Sequence, residues 1–303
     1  MPKTEVTVRV PGKVNLQLSV GPRREDGFHD LATVFHAVAL HDDVTVAVAP
    51  IGTGISLMCE GEGQSDVPLD ASNLAWQAVQ LLADSVGIAP NVQIRIHKHI
   101  PVAGGMAGGS ADAAGALLAA DALWKLGTPK NVLHDLAAAI GSDVPFALHG
   151  GTAIGSGRGE RITPVLARGT FHWVFALASE GLSTAGVYEE CDRLREGRHV
   201  PDPYMSDMLM QALRAGDPVL LGKSLHNDLQ QAAFSLRPVL SRVLDAGEEA
   251  GALGGIVSGS GPTCAFLARN EEHALDIAVR LTSSGIVRSV KRSSGPALGA
   301  RII

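Results

Sequence analysis

The stretch PVAGGMAGGSADAAGALLAA, residues 101–120, decides how the chain is read. Gly104, Gly105, Gly108 and Gly109 crowd a short segment that runs into an alanine-rich stretch of high helix propensity. A backbone without Cβ atoms can turn its N–H groups inward and approach an anion closely. Ser110 is a natural N-cap for the helix that follows. A helix N-terminus carries about half a positive charge, so a glycine loop feeding it makes a cradle for phosphate. The plain alternative is a flexible strand-to-helix linker beside a tightly packed helix. The spacing GGxxGGS fits neither GxGxxG nor the Walker pattern, since no lysine follows the last glycine.

Outward from the loop, TEVTVRV (4–10) alternates with period two and GKVNLQLSVG continues it, so both read as strand. DDVTVAVAP and NVQIRIHKHIP are further strands. SNLAWQAVQLLADSVG reads as a helix capped by Ser72, and SADAAGALLAADALWKLG and PKNVLHDLAAAIG as two more. Strands lead and helices cluster after them, which points to α+β and not to an alternating βαβ series. GTAIGSGRGERITPV, glycine-rich and near the midpoint, separates two patterned regions, so the division is drawn between residues 1–160 and 161–303. In the second part FHWVFALA predicts a strand, TAGVYEECDRLRE a helix and SLRPVLSRVLDAGEEAG another. ALGGIVSGSGPTCAFLA predicts strand, glycine turn and strand, EEHALDIAVRLTSSG a helix, and VRSVKRSS a closing strand.

The 303 residues suffice for two domains with their own cores. Aromatics are 4% of the chain, so those cores are expected to be aliphatic. A net charge of -6 without a basic stripe argues against a nucleic-acid partner. Cys59, Cys191 and Cys264 are far apart and odd in number, which argues against a disulfide framework and for a reducing compartment. No apolar run reaches membrane-span length and the N-terminus lacks a signal-peptide core, so the expected location is the cytoplasm. The expected state is a monomer or weak homodimer.

PVAGGMAGGSADAA resembles the second signature of the GHMP small-molecule kinases. PGKVNLQLSV resembles the family's N-terminal segment and GIVSGSGPTCAF its C-terminal glycine turn, and the three occur in the family's order. The resemblance implies two domains, a ribosomal-protein-S5-like nucleotide-binding domain followed by a ferredoxin-like domain, with the active site in the cleft between them. GKVNLQLSVGPRREDGFHDLATVFHAV and GSDVPFALHGGTAIGSGRGE narrow it to the branch whose alcohol acceptor is cytidine diphosphate methylerythritol, a small molecule of the non-mevalonate isoprenoid route. ATP and Mg²⁺ are implied as phosphoryl donor and cofactor.

By that resemblance Asp143 is the general base and Lys13 its cationic partner. The residue types suit the chemistry. An alcohol must lose its proton as the γ-phosphoryl arrives, a carboxylate can take it, and an ammonium stabilises developing charge. Transfer is expected to be direct, because no cysteine or serine lies in a nucleophile setting. Read by itself, Asp143 is equally a cap for a helix starting at Val144, and Lys13 a solvated strand lysine. Asn15 shares a strand face with Lys13 and is a candidate to hydrogen-bond the substrate or Asp143, with a plain polar strand position as the alternative. Phe28 and His29 match the family's aromatic-His pair that holds cytosine, with phenylalanine where tyrosine is common. Phe35 and Tyr188 are candidates for a second aromatic wall, with core packing open for Phe35, and Thr184 is a candidate for the substrate phosphate.

The nucleotide side is assigned to Pro101, Val102, Ala103, Gly104, Gly105, Met106, Ala107, Gly108, Gly109, Ser110 and Ala111, with Asn73 near the base and Lys98 reaching the nucleotide. Leu74 and Trp76 are candidates for the base pocket, with plain capping and core packing as the alternative. Ala103 and Ala107 stand where glycines are common in the family, and Asp112 where asparagine is. Ser110 or Asp112 is a candidate magnesium contact; His97 and His99 lack a third ligand, and no dedicated metal site is expected. HNDLQ (226–230) reads as a structural cap before a helix. Two rivals stay open: a related kinase for homoserine or a mevalonate-type alcohol, which offers no base to stack, and a nucleotide-binding module without catalysis.

Overall fold

The computed structural model describes residues 4–102, 104–178 and 181–303. Strands β1 (Glu5–Arg23) and β2 (His29–Val48) form a long antiparallel pair. β3 (Ile55–Gly61), helix α1 (Leu74–Val86) and β4 (Val92–Lys98) follow, with β4 antiparallel to the far half of β2 and parallel to β3. Helices α2 (Gly108–Trp124), α3 (Lys130–Ile140) and α4 (Val144–His149) then cover the sheet. β5 (Thr152–Gly157) pairs with the near half of β2, and β6 (Arg161–Pro164) with β5.

The second sheet is antiparallel. β7 (Phe171–Leu177) leads into α5 (Thr184–Arg195), α6 (Asp207–Ala215), α7 (Pro218–Ser224) and the short β8 (His226–Asn227). Then come α8 (Gln230–Leu236), α9 (Val239–Glu249), β9 (Gly254–Val257), β10 (Cys264–Ala268), α10 (Glu271–Ser283), β11 (Ser289–Gly295) and β12 (Arg301–Ile302). Its strand order is β11-β7-β10-β9, the α+β arrangement expected for a ferredoxin-like domain. No described helix is long and apolar enough to cross a membrane.

Four local expectations change. GTAIGSGRGERITPV is the β5–β6 hairpin of the first sheet, with Thr152–Gly157 antiparallel to β2 and Arg161–Pro164 antiparallel to β5. The drawn division at 160/161 therefore passes through that hairpin, and β8 and β12 also return to β1. SLRPVLSRVLDAGEEAG is two helices, broken where Pro238 cannot continue α8. Asn73, not Ser72, caps α1, accepting from the Ala75 N–H. Ser110 is the third residue of α2, whose N-cap is Ala107.

The alanine run has a packing reason. Twelve of the 17 residues of α2 are buried, so the helix runs through the interior and not over it. At Gly115 a Cβ would press within 3 Å of Val10 and Val44 side chains, so only glycine lets the helix lie this close to β1 and β2. That contact anchors the glycine loop at the N-terminus of α2 against the sheet.

Candidate active site

β1 carries Lys13 and Asn15 between register irregularities with β2 at Pro11/Gly12 and Asn15/Gln17. Such bulges re-aim side chains next to functional clefts. Lys13 is only 5% exposed. Its Nζ donates to Asn15 Oδ1 at 2.7 Å and to the Gly105 carbonyl at 3.0 Å, and lies 3.5 Å from Asp143 Oδ2. Asn15 Nδ2 donates to Thr33 Oγ1 at 2.8 Å, which donates to the Gln17 carbonyl. Both ends of the Asn15 amide are thus engaged by protein groups, so Asn15 orients Lys13 and does not reach Asp143.

Asp143 sits at the N-cap of α4, yet its side chain makes no capping hydrogen bond. The cause is local. A cap oxygen accepts from the second or third helical N–H out of an extended N-cap backbone. Here the second residue is Pro145, which has no N–H, and Asp143 itself has the helical φ -87° and ψ -11° in place of that extended backbone. The carboxylate leans toward Lys13 instead, with its side chain 30% exposed to the cleft.

Asp143 lines a cavity of about 690 Å³ at the junction of the two sheets. One side is the glycine loop. Gly105 has φ 71°, and a Cβ there would collide with the Ser258 carbonyl. Ser258 Oγ also donates to the Gly105 carbonyl at 3.0 Å, so the turn SGSGPT of the second sheet clamps the loop. Asn227 of HNDLQ holds that turn in place, donating to the Val257 and Gly259 carbonyls at 2.8 Å while its Oδ1 accepts from the Leu229 N–H. Thr184 Oγ1 lies 3.0 Å from Ser260 Oγ, bringing the first turn of α5 to the same place. No side chain caps the first turn of α2, so its N–H groups remain available to an anion at the cavity.

The opposite end is aromatic and cationic. Phe28 is 51% exposed, with the Arg158 guanidinium 4.9 Å from its ring centroid. His29 is 6% exposed, tilted against Tyr188 at 5.2 Å, with Nε2 2.8 Å from Asp192 Oδ1. Burial, reinforced by the charge of Asp143, pushes the Tyr188 phenol above its ordinary range and keeps it a neutral hydroxyl.

The cavity wall thus brings together Lys13, Asn15, Phe28, His29, Phe35, Asp143, Thr184 and Tyr188 with Gly104, Gly105, Ala107, Gly108, Gly109 and Ser110. Phe35 reaches it only by an edge. It is buried, stacks on Phe146 at 4.8 Å and lies 5.9 Å from Lys13 Nζ, so it underlies the Lys13 end and not the His29 end. Leu74 is on the wall, whereas Trp76 packs on the main core. Pro101, Val102, Met106 and Ala111 are not on the wall, and Met106 is fully buried. Ala103 lies outside the described residues.

Asn73 and Lys98 are placed elsewhere than expected. Asn73 spends its amide on the α1 cap and on the Pro68 carbonyl. Lys98 points inward, with Nζ 2.5 Å from Asp42 Oδ2 and 2.7 Å from Asp112 Oδ2. Asp42 Oδ1 accepts from the His99 and Ile100 N–H groups. Asp112 is therefore part of a buried cluster behind the loop and has no path to a magnesium ion at the cavity. Burial holds its carboxyl well above the usual range despite Lys98.

Sequence reasoning passed over Arg23, Arg158 and Asp192, all on the wall. Asp192 was findable, because it follows Tyr188 by four residues on α5 and shares its face.

Comparison with known proteins agrees with this fold. Residues 73–151 match the GHMP kinases N terminal domain and residues 209–287 the GHMP kinases C terminal domain. A 4-diphosphocytidyl-2-C-methyl-D-erythritol kinase of Mycolicibacterium smegmatis is 59% identical over 300 residues, 98% of this chain and 92% of that protein. A crystal structure of 4-(cytidine 5'-diphospho)-2C-methyl-D-erythritol kinase superposes with a TM-score of 0.75 at 33% identity, covering 95% of this chain and 98% of that one. A homoserine kinase from Cytophaga hutchinsonii superposes with a TM-score of 0.76 at 18% identity, over 100% of this chain and 98% of that one, which speaks to the fold alone. With the two GHMP domains matched in order and identity this high along nearly the whole chain, the protein belongs to the 4-diphosphocytidyl-2-C-methyl-D-erythritol kinase family of the GHMP kinases.

Proposed function

We propose that this cavity transfers the γ-phosphoryl group of ATP to the 2-hydroxyl of 4-diphosphocytidyl-2-C-methyl-D-erythritol, in the non-mevalonate route to isoprenoid precursors. The observation that carries the reading is the uncapped Asp143 carboxylate, 3.5 Å from Lys13 Nζ, between the glycine loop and the aromatic end of one cavity.

Asp143 accepts the proton of the acceptor hydroxyl as the phosphoryl arrives. Lys13, fixed by Asn15 and the Gly105 carbonyl, stabilises the charge that develops on the transferring group. The loop from Gly104 to Ser110 and the uncapped first turn of α2 hold the phosphates by backbone N–H groups. Most of the rate enhancement comes from this positioning and from electrostatics. The residues fit Mg²⁺-bound ATP, since Ser110 on the wall offers a hydroxyl oxygen in the first turn of α2. The ion, when bound, neutralises triphosphate charge and orients the donor.

Phe28 stacks on the cytosine ring and His29 reads its polar edge. Arg23 and Arg158 supply positive charge along the path of the diphosphate. Thr184, hydrogen-bonded to Ser260, stands beside the phosphate positions. Homoserine and mevalonate have no ring for the Phe28 end. A binding module without catalysis has no use for an uncapped Asp143 held beside a buried lysine.

The test is Asp143→Asn. Phosphoryl transfer drops by about 10²- to 10⁴-fold while ATP affinity, measured by calorimetry, stays within about twofold. Full activity in the variant sinks the role of Asp143.

A further inference from the structure

We infer that Asp192 selects the base: it fixes the tautomer of His29 so that the ring presents a bare Nδ1, which accepts from the 4-amino group of cytosine. This rests on the reading that Phe28 and His29 hold the base.

His29 lines the cavity and is otherwise buried. Its Nε2 lies 2.8 Å from Asp192 Oδ1. A carboxylate can only accept, so the hydrogen sits on Nε2. In a neutral imidazole the second nitrogen then carries none and acts as an acceptor. Among the described residues no group bonds His29 Nδ1. The acceptor itself is held from outside, since Arg23 Nε stands 3.9 Å from the other oxygen of Asp192. Tyr188, one turn earlier on α5, packs on the imidazole at 5.2 Å. One helix face therefore sets both the plane of the ring and its protonation pattern.

The consequence is selectivity between pyrimidines. Cytosine carries an amino donor at position 4, whereas uracil carries a carbonyl acceptor there. A bare Nδ1 pairs with the first and leaves two acceptors facing each other in the second. A mismatch of this kind in a desolvated site is worth about 10- to 100-fold in discrimination. Asp192 touches neither base nor phosphate in this scheme. It acts through His29 and is a positioning residue.

The experiment compares kcat/KM for the cytidine substrate and for the same molecule with uracil in place of cytosine. It uses the native enzyme, Asp192→Asn, Asp192→Glu and His29→Ala, with ¹⁵N NMR of labelled histidine on the native enzyme and Asp192→Asn. The asparagine amide can turn either its oxygen or its nitrogen to Nε2 and so no longer dictates the tautomer. The expected result is a native cytidine preference that falls at least about 10-fold in Asp192→Asn and is restored in Asp192→Glu. The KM for ATP stays put, and the native His29 signal is that of an Nε2–H tautomer. A native His29 carrying a proton on Nδ1, alone or together with Nε2, overturns the inference, as does an unchanged preference in Asp192→Asn. If His29→Ala loses the preference while Asp192→Asn keeps it, only the role of Asp192 falls. If His29→Ala keeps the native preference, the base reading falls and this inference falls with it.

Discussion

Lys98 Nζ lies 2.7 Å from Asp112 Oδ2, in the interior directly behind the glycine loop, joining two residues 14 positions apart. Asp42 meets the same ammonium from the β2 side and holds the His99 and Ile100 N–H groups. The strand that enters the loop and the helix that leaves it are thus tied through one buried cation. Two carboxylates share that single positive charge, which makes the clasp sensitive to protonation.

The folded-state pKa of Asp112 is raised well above its ordinary value, with burial as the main cause. The native state therefore holds this proton at pH values where the unfolded chain has released it. Stability then falls as pH rises above about 4, by at most about 1.4 kcal/mol per pH unit from this group. Asp112→Asn removes the titration. The expected outcome is a Tm difference, variant minus native, that grows from pH 5 to pH 8. Parallel pH profiles in scanning calorimetry would rule this out.

Lys98→Met leaves two buried carboxylates without their cation. Breaking a buried pair in this way costs about 3–5 kcal/mol. The denaturation midpoint in urea should drop accordingly, and Lys98→Met combined with Asp112→Asn should recover part of the loss. A midpoint within error of the native value would show that the clasp contributes nothing.

Ala107 caps α2 at φ 58°, a left-handed conformation that costs a residue with a Cβ about 1–2 kcal/mol. Ala107→Gly removes that strain but adds unfolded-state entropy. The net expectation is a stability gain of a few tenths to about 1 kcal/mol. Destabilisation by the glycine, read from the same urea curves, would mean that the backbone there is not strained.

Phe28 stands half in solvent under the Arg158 guanidinium. A base stacked on such a ring contributes about 1–3 kcal/mol. Phe28→Ala is expected to raise KM for the cytidine substrate by about 10- to 100-fold while the KM for ATP holds. Equal effects on both substrates would place Phe28 outside the acceptor site.

Much of this was legible before any coordinates. The strand-like runs fall in β1, β2, β4 and β7, and the Lys13 segment, the glycine loop and the SGSGPT turn meet at one cavity. The direction of Lys98 was legible too, in the wrong place. In β4 the buried parity runs Val92, Ile94, Ile96, Lys98, so alternation points the lysine inward. Asp42 shares parity with Val44 and Val46 in the same way. Cap positions were less accessible. Neighbouring Ser72 and Asn73 compete for one role, and a left-handed alanine at the N-cap of α2 is not what local propensity suggests. The free carboxylate of Asp143 was readable only in part, because Pro145 removes one of the two N–H groups a cap would use, and Asp143 could equally be read as the cap itself.

The most direct test of the central claim is an ADP-release assay of the purified protein with Mg-ATP and four acceptors. These are 4-diphosphocytidyl-2-C-methyl-D-erythritol, the same sugar without its cytidine, homoserine and mevalonate. The account predicts turnover with the first alone, because only that acceptor engages both the Asp143 end and the Phe28 and His29 end of the cavity. Turnover with homoserine or mevalonate, or none with the cytidyl compound while ATP still binds, would contradict it.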